Sequence, residues 1–246
     1  MPSSFLGELL GTMILVLLGN GALASALLNQ TRARALGTSW LGVTGGWALG
    51  ITTGMLVAQA AGSPTPELNP ALTLAFWLRG ELALVDALLH MLAQLSGAFL
   101  GALLVWLAYL PYWAVTNDAQ RSLACFSTSP SVGPPSAHMI SEIIATFVLV
   151  YVLLSLYSPS SPFGGNLELG IAPLLVGAVL WGLGLALGGS SHYAINPARD
   201  LGPRLAYTLL PISAKVAGHW RYAWVPVLGP LVGGLLATLV AWAVGL

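Results

Sequence analysis

The sequence predicts an all-α membrane protein with six transmembrane helices and two shorter, re-entrant half-helices. Three observations lead to this fold class: the composition, six apolar stretches of spanning length, and a tripeptide that occurs twice between such stretches. Of the 246 residues, 57% are hydrophobic and 7% are charged, against about 25% charged residues in an ordinary soluble domain. The formal net charge is zero and the sequence has no basic run and no Cys/His cluster, so neither nucleic acid nor a metal ion is expected as a partner.

Six apolar stretches approach the ~20 residues that a helix needs to cross a bilayer. The first stretch lacks a positively charged start and a clear cleavage site, so we interpret it as a retained span rather than a signal peptide. This pattern predicts a multi-pass protein of the cell membrane. The predicted spans run approximately over residues 5–28, 40–60, 86–109, 137–157, 169–187 and 222–244.

The tripeptide Asn-Pro-Ala occurs twice, each time between two apolar stretches. Asn is a preferred N-cap and Pro is tolerated at the first helical position, so each copy predicts a helix start. The two helices end near Leu78 and Leu209 and are too short to span. A helix that starts at membrane depth leaves backbone groups that hydrocarbon cannot satisfy, so each start must be buried in protein or line a watery cavity. Two such starts predict a pore that is lined by Asn69, Pro70, Ala71, Asn196, Pro197 and Ala198.

The two halves of the chain also resemble each other elsewhere. Glu8 and Glu142 each begin a Glu-x-x-x-Thr sequence, in the first and fourth spans, and glycine pairs with four-residue spacing occur in the third and sixth spans. With three spans per half, the second copy must enter from the opposite side, which gives an inverted 3+3 repeat. We therefore expect one channel domain with repeats at approximately 5–110 and 137–246 and a Ser-, Thr- and Pro-rich connector over 111–136. A further glycine stripe from Gly42 to Gly54 predicts close helix packing, either to hold the short helices against the spans or as ordinary association between spans.

The chemistry of the predicted pore follows from these positions. The side-chain oxygen of an N-cap Asn is occupied by the amides of its own helix, so Asn69 and Asn196 would offer only N–H donors to the lumen. The two helix N-termini would repel cations and interrupt a proton-conducting chain of water. Arg199 follows Asn196 by three residues and projects from the same side of the helix. An Arg at membrane depth costs at least ~2.5 kcal/mol, so we interpret Arg199 as functional.

We call the two Asn-Pro-Ala tripeptides the first and second box. This sequence resembles the major intrinsic proteins, the aquaporins and glycerol facilitators, in its two boxes, in the glutamates of the first and fourth spans and in the extended second box 196–204. The resemblance covers residues 7–234 and implies an aquaporin-like fold, a homotetramer with one pore per subunit, no cofactor, and a place in a bacterial inner (plasma) membrane. It also implies a selectivity filter. The filter residues are Trp47, Gly184, Tyr193 and Arg199.

Within this resemblance, the filter composition favours glycerol over water. Water-specific members usually carry His where this chain has Gly184, so the opening is expected to be wider here. Trp47 and Tyr193 would form an apolar wall for carbon while the planar fork of Arg199 donates to hydroxyl groups. The polar residues expected to support the re-entrant loops, rather than to relay protons, are Glu8, Glu142, Gln94 and Asp200.

These observations predict a passive channel for glycerol and similar small neutral solutes, with water, in contact with membrane lipid. A water-dominated channel with little glycerol flux is the main alternative, and a membrane protein with a closed pore is another. An enzyme is not expected, because the candidate acids and bases Glu8, Glu142, His90 and His192 are scattered over different segments without a nucleophile motif.

Two departures from the family pattern carry further expectations. The family usually reads Gly-Ala-His-Leu-Asn at the first box, whereas residues 63–67 here are Ser-Pro-Thr-Pro-Glu. Glu67 is expected near one mouth, which suggests pH-dependent flux. In the family's topology both termini lie in the cytoplasm, and only Arg79 of the loop cations would then lie inside, against the positive-inside rule. The cations placed outside are Arg32, Arg34, Arg121, Arg204, Lys215 and Arg221.

Overall fold

The computed structural model describes residues 2–129, 132–161 and 171–246. All regular elements in these residues are helices, and six of them are long and apolar enough to cross a membrane, which confirms the predicted fold class. The helices are α1 (Pro2–Leu27), α2 (Arg32–Ala35), α3 (Trp40–Ala60), α4 (Pro70–Leu78), α5 (Leu84–Ala108), α6 (Leu110–Val115), α7 (Ala119–Ala124), α8 (Pro135–Tyr157), α9 (Ala172–Ser191), α10 (Pro197–Leu209) and α11 (Val225–Ala243).

The two short helices α4 and α10 end where the sequence predicts. After α4, the amide of Gly80 donates to the Trp77 carbonyl and the backbone of Gly80 adopts a φ of +75°, a conformation that glycine favours at helix ends. Leu210 leaves α10 in an extended conformation before Pro211, and this is the conformation that a following proline favours. Local signals therefore stop both helices well short of spanning length.

The packing of the helices follows the repeat. In the first half α1 packs against α3 and α5, and in the second half α8 packs against α9 and α11, while α3 and α9 join the halves. Each half-helix packs against the last span of the other half, α4 against α11 and α10 against α5. The two re-entrant segments are thereby held at the centre of the bundle by spans from both halves.

Glycines set the closest of these approaches. A Cβ added at Gly101 of α5 would lie 2.5 Å from the backbone oxygen of Met13 in α1, and one added at Gly233 of α11 would lie 2.5 Å from that of Ile143 in α8. The glycine pairs of the third and sixth spans therefore make equivalent contacts in the two halves. The stripe in α3 serves association between spans, because a Cβ at Gly54 would lie 2.6 Å from the Gly11 oxygen of α1 rather than against a short helix.

The end of the fifth span and the content of the connector differ from the sequence expectation. The predicted start of the fifth span at Leu169 lies outside the described residues, and the span continues to Ser191 rather than 187. The connector, expected to be irregular, contains the helices α6 and α7. The side chain of Asp118 caps α7 by accepting hydrogen bonds from two backbone amides, and Pro111 occupies the first turn of α6. Composition suggested a loop, but these local capping residues favour short helices.

Candidate functional site

The two asparagines of the repeated tripeptide meet at the centre of the bundle. The Asn69 side-chain oxygen accepts from the amide of Ala71 at 2.9 Å, and that of Asn196 accepts from Ala198 at 3.0 Å. Each side-chain nitrogen donates across to the other loop, from Asn69 to the Ile195 oxygen at 2.8 Å and from Asn196 to the Leu68 oxygen at 2.7 Å. A carboxamide nitrogen carries two hydrogens, so each asparagine keeps one donor for another partner.

The residue before each asparagine has an unusual backbone. Leu68 has a φ of +52° and Ile195 a φ of +44°, both in the left-handed region that side chains other than glycine rarely adopt. This conformation is costly for a β-branched residue, and such strain persists only where the surroundings enforce it. Here the two strained residues are the ones whose carbonyl groups accept the crossed hydrogen bonds from the asparagine side chains. This arrangement occurs in both halves and links the two helix starts to each other.

A buried carboxylate braces each re-entrant loop. Glu8 accepts hydrogen bonds from the amides of Glu67 and Leu68, at 3.0 and 2.9 Å, and from the side chains of Ser63 and Gln94. Glu142 makes the equivalent bonds in the second half. Its donors are the amides of Ala194 and Ile195, at 2.9 and 2.8 Å, and the hydroxyl of Ser191. Neither Glu8 nor Glu142 is exposed. The serine donors were not selected from the sequence, although each precedes its box by five or six residues.

A cavity of about 150 Å³ runs past both asparagines. Its polar lining includes Asn69, Asn196 and Arg199, and its apolar lining comes from the spans and from α4. The apolar lining includes Leu15, Ile51, Met55, Leu72, Phe76, Leu149, Leu153, Val176 and Leu180. The cavity reaches Glu81 and Tyr157 at the end of the molecule where the α4 helix ends. A path lined by a few polar groups and many apolar side chains thus extends through the half-helix junction.

A second, smaller cavity of about 10 Å³ lies beyond Arg199 and is lined by Trp40, His192 and part of the connector. It shares Trp47, Tyr193 and Arg199 with the main cavity, so these residues form the boundary between the two spaces. The Arg199 guanidinium carbon lies 3.9 Å from the centre of the Trp47 ring, a cation–π contact. Three of the four predicted filter residues therefore meet at one constriction.

Gly184, the fourth predicted filter residue, packs against Tyr193 at this boundary. A Cβ at Gly184 would lie 2.8 Å from the Tyr193 hydroxyl oxygen and 2.9 Å from a Thr44 methyl group. The Tyr193 ring, rather than open lumen as the sequence suggested, fills the space beside the glycine. The Trp40 indole donates to the Gly184 oxygen at 3.0 Å and packs edge-on against Tyr193. Trp40 was missed because nothing in its local sequence separates it from an ordinary interface tryptophan.

Two polar atoms at the constriction have no partner among the described residues. They are the hydroxyl of Tyr193 and one terminal nitrogen of Arg199, on side chains that are 4% and 5% exposed. Burial raises the pKa of Tyr193 to about 12, against a smaller opposite effect of Arg199, so the hydroxyl stays protonated at neutral pH. Buried polar groups normally have a hydrogen-bond partner. These two atoms therefore have hydrogen-bonding capacity that no group in the described residues uses.

Asp200 supports a different loop from the one expected. Its carboxylate accepts from the amide and hydroxyl of Thr128 in the connector and pairs with Arg204 at 2.7 Å. The Arg204 guanidinium donates in turn to the carbonyls of Thr128 and Gly218. Both charged side chains are fully buried. Arg204, which the sequence placed among the loop cations, is instead an internal cross-link between α10, the connector and the last loop.

Glu67 also differs from the expectation that its carboxylate stands at a mouth. The side chain is 1% exposed and points to α5, where it lies 2.8 Å from His90, while its loop lines the main cavity. The hydroxyl of Thr73 donates to the same carboxylate oxygen at 3.0 Å. This pair could not be predicted from the sequence, because His90 lies on another element.

Comparison with known proteins places this architecture among channels. A family model described as Major intrinsic protein matches residues 2–241. The glycerol uptake facilitator protein of Streptococcus pneumoniae (strain ATCC BAA-255 / R6) is 43% identical over 242 residues, covering 98% of each chain. The probable glycerol uptake facilitator protein of Thermotoga maritima is 42% identical over 243 residues, covering 98% of this chain and 99% of its own length.

A solved structure shows the same arrangement. The X-ray structure of the aquaglyceroporin from Plasmodium falciparum superposes with a TM-score of 0.84 at 26% sequence identity, covering 98% of this chain and 95% of that chain. The similarity therefore extends over the spans, both half-helices and the connector rather than over one segment.

Proposed function

Because this chain belongs to the major intrinsic protein family, we propose that it is a passive channel that facilitates diffusion of glycerol and similar small neutral solutes, together with water, across the plasma membrane. The family consists of channels, and we assign no catalytic residue and no cofactor. One observation carries the proposal. Both asparagine tips and Arg199 line one cavity whose other lining residues are mostly apolar.

A lining that combines polar groups with apolar side chains suits a polyol. Glycerol carries hydroxyl groups along a hydrocarbon backbone, so it can keep its hydrogen bonds with the polar groups while its CH groups contact the apolar spans. At the constriction, the Trp47 ring offers an apolar surface, and Arg199 and Tyr193 offer the two unpartnered polar atoms. Arg199 can only donate, whereas the Tyr193 hydroxyl can donate or accept. A solute hydroxyl, which both donates and accepts, can satisfy both groups at once.

The half-helix junction disfavours ions and protons. Each asparagine has its oxygen bonded to its own helix and retains only an N–H for the lumen. The two helix N-termini add roughly half a positive charge each. A water molecule here must accept from both asparagines and cannot relay a proton onward. Neutral solutes with acceptor oxygens pass without this penalty.

The assembly belongs to the same proposal. We propose one channel domain per chain, with repeats at 5–110 and 137–246 and the connector over 111–136. Large apolar side chains such as Leu92, Leu185 and Leu239 are exposed on the outer faces of the spans, where lipid and neighbouring subunits of a homotetramer would cover them. Each subunit would hold its own pore.

Stopped-flow light scattering of proteoliposomes tests the function. Vesicles that contain the protein and are exposed to a glycerol gradient should shrink as water leaves and then swell as glycerol enters, both faster than empty vesicles do. Fast shrinkage without fast swelling would establish the water-dominated alternative. Neither phase above the empty-vesicle rate would indicate a closed pore and overturn the proposal.

A further inference from the structure

A buried polar cluster joins the first re-entrant loop to α5 at Glu67, a residue of the loop that lines the main cavity. Glu67 pairs with His90 at 2.8 Å, and the side chains of these residues are 1% and 8% exposed. The other ring nitrogen of His90 contacts the hydroxyl of Ser4, a half-buried residue near the start of α1. The Glu67 carboxylate is thus connected through His90 to the face of the molecule where α1 begins.

The cluster is arranged for proton sharing rather than for metal binding. Ligand-type atoms of Glu8, Glu67 and His90 lie within 4.8 Å of one another. However, Glu8 already accepts four hydrogen bonds, and Glu67 is bonded to Thr73 and His90. Two carboxylates this close in a low-dielectric interior cannot both stay ionised without a nearby cation.

His90 supplies that cation when it is protonated. Among the described residues, the charged or titratable groups that face it are Glu67 on the loop, Glu8 on α1 and Asp86 one turn earlier on α5. The packed face of α4 contributes the hydroxyl of Thr73 and no charge. No Lys or Arg in the described part of the chain contacts these carboxylates, so protonated His90 is the cation that can neutralise them.

The second half of the molecule lacks this pair. The position two residues before the second box asparagine is Ala194, where the first half has Glu67. Glu142 and Ser191 hold the second loop without a further ion pair. A loop of this kind can therefore be built without the pair, which indicates a role specific to the first loop. That loop contains two prolines and lines the main cavity.

We propose that His90 is a positioning residue of this channel: in its protonated form it holds the Glu67 carboxylate and so fixes the first re-entrant loop at the lumen, and loss of that proton lowers solute flux. The proposal rests on the channel function proposed above. Loss of the proton from His90 turns an ion pair with Glu67 into a weaker hydrogen bond and leaves the neighbouring carboxylates of Glu8 and Glu67 without a cation between them. A more weakly held loop leaves its lumen-facing backbone less well placed for the solute.

Glycerol permeability of proteoliposomes, measured between about pH 5 and pH 8, tests the proposal. Wild-type permeability should fall as the pH rises and His90 loses its proton, by about five-fold if the loss equals one ordinary hydrogen bond. Glu67→Gln removes the carboxylate that the protonated ring holds. His90→Asn places an amide near the first ring nitrogen and keeps a donor for Glu67, but it cannot be protonated. Both variants should lose the pH dependence.

His219→Asn is the matched control. His219 lies in a half-exposed loop with a φ of +47°, a conformation that Asn tolerates, so the wild-type pH profile should persist. Each profile is normalised to that variant's own flux at the highest pH, so a lower yield of folded protein cannot imitate the effect. His90→Leu, which removes both ring contacts, should lose glycerol flux at every pH.

The outcomes separate this inference from the channel proposal. A wild-type protein that conducts glycerol with a flat pH profile, or variants that keep the wild-type profile, would overturn the role of His90 and leave the channel function intact. A wild-type protein that conducts no glycerol at any pH would overturn both.

Discussion

At the scale of single residues, the half-helix junction depends on polar groups that are bonded mostly within the protein. The oxygens of Asn69 and Asn196 are bonded to their own helices, and one hydrogen of each amide is bonded to the opposite loop. At the constriction, the Tyr193 hydroxyl and one terminal nitrogen of Arg199 have no partner among the described residues. The Tyr193 hydroxyl therefore offers a test of solute recognition by a single group.

Removing the hydroxyl of Tyr193 tests whether this group contacts the solute. Tyr193→Phe keeps the ring against Gly184 and Trp40 but removes the group in the constriction that can accept a hydrogen bond. Glycerol permeability should fall by about five-fold, the value of one hydrogen bond, while water permeability changes less because a single water can still bond to Arg199. The ratio of the two rates in stopped-flow measurements reports the effect.

Tyr151→Phe is the control for this substitution. Tyr151 is half-buried on α8, stacks on Phe147 and lines neither cavity, so both permeabilities should stay at the wild-type values. Equal glycerol permeability of Tyr193→Phe and wild type would show that the hydroxyl does not contact the solute.

At the scale of elements, the bundle depends on glycines that let spans of the same half approach one another. Gly101 faces α1 and Gly233 faces α8, each within contact of a backbone oxygen. Without a hydrophobic driving force between helices in lipid, such close backbone packing supplies much of the association energy. The half-helices pack against these spans, so the pore geometry depends on the same contacts.

Gly233→Ala should destabilise the protein. Its Cβ would lie 2.5 Å from the Ile143 oxygen, so α8 and α11 must move apart, and overpacking of this kind costs about 1–3 kcal/mol. The midpoint of thermal unfolding in detergent should fall. Gly182→Ala is the matched control on α9, because nothing lies within 4 Å of its added Cβ, and it should unfold at or slightly above the wild-type temperature. Equal midpoints for the two variants would contradict this account.

The elements that could be predicted from the sequence are those specified locally. The spans follow from apolar length, and both half-helices follow from an N-cap asparagine before a proline. The ion pair of Asp200 with Arg204 was also within reach, since the two residues are spaced for contact on a helix, yet Arg204 was counted as a loop charge. The pair of Glu67 with His90 could not be found, because the two residues come together only when the first loop folds against α5.

At the scale of the whole molecule, the charged groups separate between the two faces. Hydrogen bonds from Asn29 to Thr116 and from Arg204 to Gly218 bring α2, the connector and the last loop to one face of the molecule, which we call the connector face. That face carries Arg32, Arg34, Arg121, Lys215 and Arg221, whereas Arg79 lies at the other, where it donates to the backbone oxygen of Leu246. Burial of Arg204 lowers the excess of cations on the connector face without reversing it.

The orientation in the membrane is decided by which of two rules prevails. The family resemblance places the connector face outside, while the positive-inside rule places it in the cytoplasm. We expect the family orientation, because similarity over nearly the whole chain constrains the topology more strongly than the position of five cations does. A passive channel conducts equally in either direction, so flux measurements do not depend on the answer. The side of the membrane from which His90 takes up a proton does depend on the orientation, because His90 contacts Ser4 at the end of the molecule where α1 begins.

Cysteine labelling in intact cells decides the orientation. Gln120→Cys places a thiol at an exposed position on α7 in the connector, and Glu81→Cys places one on the opposite face. A membrane-impermeant maleimide should label Gln120→Cys directly and Glu81→Cys only after permeabilisation. The wild-type protein, whose Cys125 is buried, should remain unlabelled and serves as the control. The reverse pattern would show that the cations set the topology, and the pH response assigned to His90 would then report on the outside of the cell.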